Sequence, residues 1–442
     1  MTDVWWNPNY VLSAPQHDYT SAAWGSYFSN PTILDDVLPY VNVMGLFADS
    51  VFTNTGNWMG NLAVCLARHG VGTSMAGGYI TMPHPPSGAG NNSGITSAQQ
   101  DLSWIAAYES HGGRMTHWTM DGFPVQMYTN GYTQAQAMTE LVNYYTTFRA
   151  SRTDIAIGID VNFPQWPYGT YPGSGWPSEI DGAGLSDYSA ALAAMISTLS
   201  SHSFPPFAHL QVDYPYDYAL EWAGHNTSAK VPYDGIGKIL ALQSQVRAAG
   251  IPFGVMFNCE RDGGPGLLMP SGQTYDPAFY YDVLNYHQTY LARGGILDQV
   301  NVISWYQGPL AMLPANQPFT HSNLLRDLVT GTSWKAPIWE FHDPGPTNFY
   351  YVDQPADKNR LQQSATFTLD DLAGPIAYLP NNGVLNGGQI THVPYAGSTP
   401  LYKANNGLST IYTCSPSQIA FLQSLGGFTF VQTPLYVMTT PN

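Results

Sequence analysis

Charge is the scarcest property of this chain. Only 10% of its 442 residues are Asp, Glu, Lys or Arg, and 14 basic residues face 30 acidic ones, for a formal net charge of −16. A chain so poor in cations is ill-suited to neutralising a row of phosphates, which argues against nucleic acids and anionic membrane surfaces as partners. Cysteine is almost missing as well. Cys65, Cys259 and Cys414 are odd in number and far apart, so they supply neither a disulfide framework nor the spacing of a zinc site, and buried free thiols are expected. No apolar run approaches the ~20 residues that a membrane helix needs. The opening MTDVWWNPNY has neither the basic start nor the apolar centre of a secretory leader.

What the chain does have is apolar and aromatic. Hydrophobic residues reach 44%, and Phe, Trp and Tyr together 14%. With few ions, the surface must be polar through Ser, Thr, Asn, Gly and Tyr. That mix suits sugars, whose pyranose faces stack on rings and whose hydroxyls pair with amides, and it equally suits any exported protein of low surface charge. The length exceeds one small core and fits a large α/β barrel with an appendage, or two or three smaller domains.

Short runs rich in Val, Ile and aromatics alternate with longer segments of helical period. The runs are VNVMGLFA (41 to 48), VGTSMAGG (71 to 78), RMTHWTMD (114 to 121), DIAIGID (154 to 160), AHLQVD (208 to 213), PFGVMFN (252 to 258), QVNVISWY (299 to 306) and APIWEF (336 to 341). Between them lie segments such as WMGNLAVCLARHG and SAQQDLSWIAAYESHGG, with Ser, Thr or Asp in front and Gly behind, the punctuation of helices. Eight strands each followed by a helix predict an α/β fold, a (β/α)8 TIM barrel. Residues 1 to 40 read as an extension packed on the barrel, and 354 to 374 as its last helix. A small β-rich region then follows, so the expected division is 1–374 and 375–442.

One stretch needs a decision. In HLQVDYPYDYALEW, Asp213, Asp217 and Glu221 stand four apart, as on one face of a metal-binding helix. Pro215 would lie inside that helix at a cost of about 3 kcal/mol. HLQVD is therefore a strand that delivers Asp213 to the loop beyond.

In such barrels the chemistry sits where the strands run out. Here those ends are acidic: Asp121 in HWTMDGF, Asp160 in GIDVNFP, Asp213 in QVDYPYD, Glu260 and Asp262 in FNCERDGG, and Glu340 and Asp343 in WEFHDPG. Converging like charges repel, so folding alone does not favour the pattern. Asp121 is a candidate sugar contact, with capping of the next helix as the alternative for a strand-end Asp, whereas Glu is a poor cap, and Arg261 could simply pair with Glu260. Trp118, Asn162, Trp166, Tyr214, Tyr216, Asn258, Trp305, Tyr306, Trp339 and His342 accompany the acids as candidate sugar contacts. Two carboxyl groups among rings and amides can cleave a glycosidic bond, one protonating the leaving oxygen and the other attacking the anomeric carbon or activating water. The expected catalytic set is Asp213 and Glu260 first, with Glu260 as acid and Asp213 as nucleophile or base, then Glu340 and Asp160. RDGGPG lacks the Lys of a phosphate loop, and GxSxG and HExxH are absent, so no cofactor is expected. A metal site from His117, His287 and His342 is the weaker alternative.

These residues resemble the (β/α)8 glycoside hydrolases as a broad class, over about 40 to 374. The large retaining clan carries Asn-Glu after strand 4 and Glu after strand 7, whereas the corresponding runs here are GIDVNF and ISWYQG. The DxxDxDxE run of chitinase-like enzymes is also missing. The stretch 400 to 438 looks like one lectin-like repeat of secreted bacterial hydrolases, through Tyr402, Tyr412-Thr413 and Gly427-Phe428. The resemblance implies a secreted or periplasmic hydrolase of a neutral or cationic oligo- or polysaccharide. The rivals are a non-catalytic carbohydrate-binding barrel and a metal-dependent carbohydrate deacetylase or isomerase.

Overall fold

The computed structural model describes residues 2–8, 28, 30–47, 58–77, 92–124, 127–128, 132–162, 188–216, 219, 234–259, 276–304, 312–316 and 320–331, together with several strands and short pieces between 336 and 437. Eight parallel strands close into a barrel: β1 Asp3–Asn7, β2 Val43–Phe47, β3 Gly72–Gly77, β4 Met115–Met120, β5 Ala156–Asn162, β6 Leu210–Asp213, β7 Phe253–Phe257 and β8 Gln299–Ile303. Among the described residues, α-helices follow seven of them: α1 Trp58–His69, α2 Ser93–Ser110, α3 Gln134–Ser151, α4 Tyr188–Ser201, α5 Gly235–Ala248, α6 Asp276–Ala292 and α7 His321–Thr330. The fold is the expected (β/α)8 barrel.

Its membership differs from the expectation at both ends. The first strand is DVWWN, which had been read as part of an extension. It closes the ring by pairing in parallel with β8 over five residues, Asp3 with Gln299 through Asn7 with Ile303, and with β2 at Trp5 and Trp6. Correspondingly, APIWEFH is not a barrel strand. As β9, Ala336–His342, it pairs antiparallel with β10 Phe349–Val352, β11 Thr368–Leu369 and β12 Ala377–Leu379. Both segments have the β-branched and aromatic composition of strands, and only the partner decides which one completes the ring. Of the predicted last helix, 354 to 374, only Thr368–Leu369 are described, and they form β11; the rest of that segment lies outside the described residues, among which the last barrel helix is α7. Farther on, β13 Thr399–Asn405 lies between β14 Thr410–Thr413 and β15 Thr429–Val437 in an antiparallel sheet that sets Tyr402 opposite Thr413.

Local chemistry explains the helix ends. Thr133 caps α3 in a reciprocal box with Gln136, Thr320 caps α7 through the Asn323 N–H, and Asp234 accepts from the Gly237 N–H at the start of α5. Successive strand residues point to opposite sides of the sheet. The outward set, including Trp6, Met44, Met75, Trp118, Met120, Ile157, Ile159, Val212, Val255 and Phe257, joins the helices in one apolar core. Cys65 and Cys259 are buried free thiols, as expected.

Candidate active site at the mouth of the barrel

The inward set is polar. Ser74 Oγ lies 3.1 Å from Thr119 Oγ1, and Thr119 Oγ1 lies 3.0 Å from His209 Nε2. Gln211 donates to Gln299 Oε1 at 2.9 Å and accepts from Asn301 Nδ2 at 2.7 Å. Trp5 stands edge-on to His117 and His209, with ring centroids 5.0 and 4.8 Å away. Burial, then the neighbouring His117, pushes the His209 imidazole down to about 3, so it is neutral at ordinary pH. The ring fits only because residue 158 is glycine: a Cβ there would lie 2.0 Å from His209 Nε2.

Above this layer the strand ends of β4 to β7 bring three aspartates and an asparagine together. Asp160, in β5, is 4% exposed. Burial first, then the Asp121 charge and the hydrogen bond shared with it, then the Asp213 charge, hold the Asp160 carboxyl well above the usual carboxylate range. The Gly122 N–H, 3.4 Å from Asp160 Oδ1, opposes this only weakly. Burial and the two aspartate neighbours thus favour the protonated form of Asp160 more than at an exposed aspartate. Asp213, at the end of β6 and 6% exposed, accepts a 2.8 Å hydrogen bond from Asn258 Nδ2. A hydrogen bond of that sense favours an ionised carboxylate. One carboxyl that retains its proton beside another held as an acceptor is an acid–base arrangement.

The other predicted residues divide clearly. Asn258 is fully buried in the site, and Asn162 stands beside Asp213 in the β5–β6 register. Tyr214 is fully buried and packs against Gly235 at the start of α5. Tyr216 accepts from Asn285 Nδ2 at 3.2 Å and donates its N–H to the Asn258 carbonyl at 3.0 Å, bracing the loop after β6. Trp118 is a correction. It faces away from the mouth, is fully buried, and donates Nε1 to Asp101 Oδ2 at 3.1 Å. Glu340, Trp339 and His342 lie on β9, which is not a strand of the barrel ring, so the expectation that they end a barrel strand is corrected. Glu260, Trp166, Trp305 and Tyr306 lie outside the described residues. The His117, His287 and His342 trio is not assembled: His117 meets Trp5 inside the barrel, whereas His287 packs edge-on against the outward Phe257 at 5.1 Å.

The sequence reading missed Trp5 and Asn7. Both line the cavity at the mouth, together with Ser74, Thr119, Asp160 and Gln211. The alternation of Val4 and Trp6 against Trp5 and Asn7, closed by the turn pair Asn7-Pro8, was the available signal, but the strand is only five residues long.

No model of a known protein family matches the chain, and no curated protein matches it. Solved structures share the barrel at low identity. A broad-specificity endoglucanase from Clostridium acetobutylicum is 11% identical, with a TM-score of 0.40 over 74% of this chain and 96% of its own. The catalytic domain of a hyperthermophilic chitinase from Pyrococcus furiosus is 8% identical, with a TM-score of 0.38 over 75% and 96%. A D-psicose 3-epimerase is 9% identical, with a TM-score of 0.37 over 75% and 98%. The chain is a (β/α)8 barrel, and glycoside hydrolases are among the proteins it is similar to in fold.

Proposed function

We propose that the protein is a glycoside hydrolase of a neutral or cationic oligo- or polysaccharide, with Asp160 as the proton donor and Asp213 as the base or nucleophile. The observation that carries this reading is the pairing at the mouth: Asp160 keeps its proton through burial and its two aspartate neighbours, one strand away from Asp213, which accepts from Asn258. A glycosidase needs this division of labour between two carboxyl groups. The scarcity of Lys and Arg argues for a substrate without uronate or sulfate groups. Counting strands from β1 moves each acid one strand on. Glu260 then follows β7, where the large retaining clan carries a Glu, while Asp121-Gly122 stands after β4 in place of that clan's Asn-Glu pair. Glu260 is therefore a rival member of the catalytic pair.

Reducing-sugar release from a panel of plant and microbial polysaccharides tests the assignment in wild type, Asp160→Asn, Asp213→Asn and Glu260→Gln. A loss of about 10²–10⁴-fold in both aspartate variants is expected. Full activity in both would remove the pair from the chemistry, and collapse in Glu260→Gln with Asp160→Asn unaffected would hand the acid role to Glu260.

A further inference from the structure

Asn7 closes β1 across the mouth from the aspartates, and it is 9% exposed. Its Oδ1 has no hydrogen-bond partner among the described residues. The amide lies over Gly45, in the space a side chain would fill: a Cβ at 45 would be 1.3 Å from Asn7 Oδ1. The glycine admits the amide, yet none of the described residues donates to its oxygen, a costly state for a buried polar atom. Elsewhere inside the barrel, the Gln211 amide is met on both sides, donating to Gln299 and accepting from Asn301.

The cavity that Asn7 lines has a polar side, with Ser74, Thr119 and Asp160, and an apolar side, with Met256 and Ile303 packed together. Room for the centres of water molecules amounts to about 20 Å³. That holds one or two water-sized groups, the scale of a single sugar substituent. A hydroxymethyl arm fits, with its methylene toward Met256 and Ile303 and its hydroxyl donating to Asn7.

Building on the glycosidase reading, we propose that Asn7, seated on Gly45, reads the hydroxymethyl group of a hexose and so selects hexose-based glycans over pentose-based ones. A pentose leaves the amide oxygen unpaired, and the site rejects it for that reason.

The test is thermal unfolding of the full chain titrated with sugar pairs that differ only by that arm: D-glucose and D-xylose, D-galactose and L-arabinose, D-mannose and D-lyxose. Wild type should bind one hexose about tenfold more tightly than its pentose twin, the scale of one hydrogen bond together with the polar atom it would leave unmet. Asn7→Ala should bring the ratio near one, with Asn7→Ser as the second variant should the alanine protein not fold. Equal binding of both twins, no stabilisation by any sugar, or a ratio unchanged in the variants would overturn the proposal and leave the cavity to water alone. Selection by Asn7 without cleavage of any glycan would sink the hydrolase reading and leave this one standing. Cleavage of hexose and pentose polymers alike would do the reverse.

Discussion

Trp5 and Trp6 are neighbours in the chain and opposites in environment. Trp6 faces outward into the apolar core and donates Nε1 to His321 Nδ1 at 2.8 Å. Trp5 faces inward between two histidines, and its Nε1 has no partner among the described residues. Outside, Trp118 is anchored on Asp101, which also accepts from the Tyr144 hydroxyl at 2.7 Å. Inside, Asn7 Oδ1, His209 Nδ1 and Asn301 Oδ1 are unmatched among the described residues, although all three side chains are at least nine-tenths buried. One set of strands thus carries a face that holds the fold together and a face left open to chemistry. Proteins break their own packing rules mainly where function demands it.

The contrast breaks most visibly at its outer side. Trp118→Ala should cost about 3–5 kcal/mol, because it empties a large buried volume and removes one of the donors to Asp101. Urea denaturation should show a lower midpoint, while activity per folded molecule stays near wild type. A loss below about 1 kcal/mol would mean that the outer face is not the main source of stability.

The inner side should respond less. Gln299→Leu removes the acceptor for Gln211 Nε2 but keeps the volume filled, so about 1–3 kcal/mol is expected. If this change matched Trp118→Ala in the same denaturation measurement, the polar interior would be as structural as the apolar shell, and the distinction between the two faces would fail.

Most of the barrel was legible because its signals are local. Seven of the eight strands and the capped helices follow from alternation, β-branched residues, Ser or Thr before a helix and Gly after it. The first strand was not legible, because DVWWN and APIWEFH look alike and only long-range pairing tells them apart: β1 finds β8 nearly the whole barrel away in sequence. The strand-end acids could be read as a set, but not their division into Asp160 with a shared proton and Asp213 with an amide donor, which depends on register between strands. Trp118 was misplaced because an aromatic near a strand tip is as consistent with the outer face as with the inner, and the deciding partner, Asp101, lies on α2.

Asp160 gives the smallest effect and the sharpest one, because its sign depends on pH. Burial, Asp121 and Asp213 raise its carboxyl above the ordinary value, so the folded chain holds a proton that the unfolded chain releases. Stability linked to that proton is complete below the unfolded value of about 4 and is lost as pH rises toward the folded one. Asn at 160 cannot ionise, and its amide can still donate to Asp121. Asp160→Asn should therefore unfold at nearly the wild-type temperature at pH 4 and at a higher one at pH 7, the reverse of an ordinary loss-of-contact substitution. A group that lowers stability at neutral pH while its replacement abolishes turnover belongs to the inner, functional face. Parallel unfolding curves at the two pH values would show that Asp160 is an ordinary ionised carboxylate, and the proton-donor role would pass to Glu260.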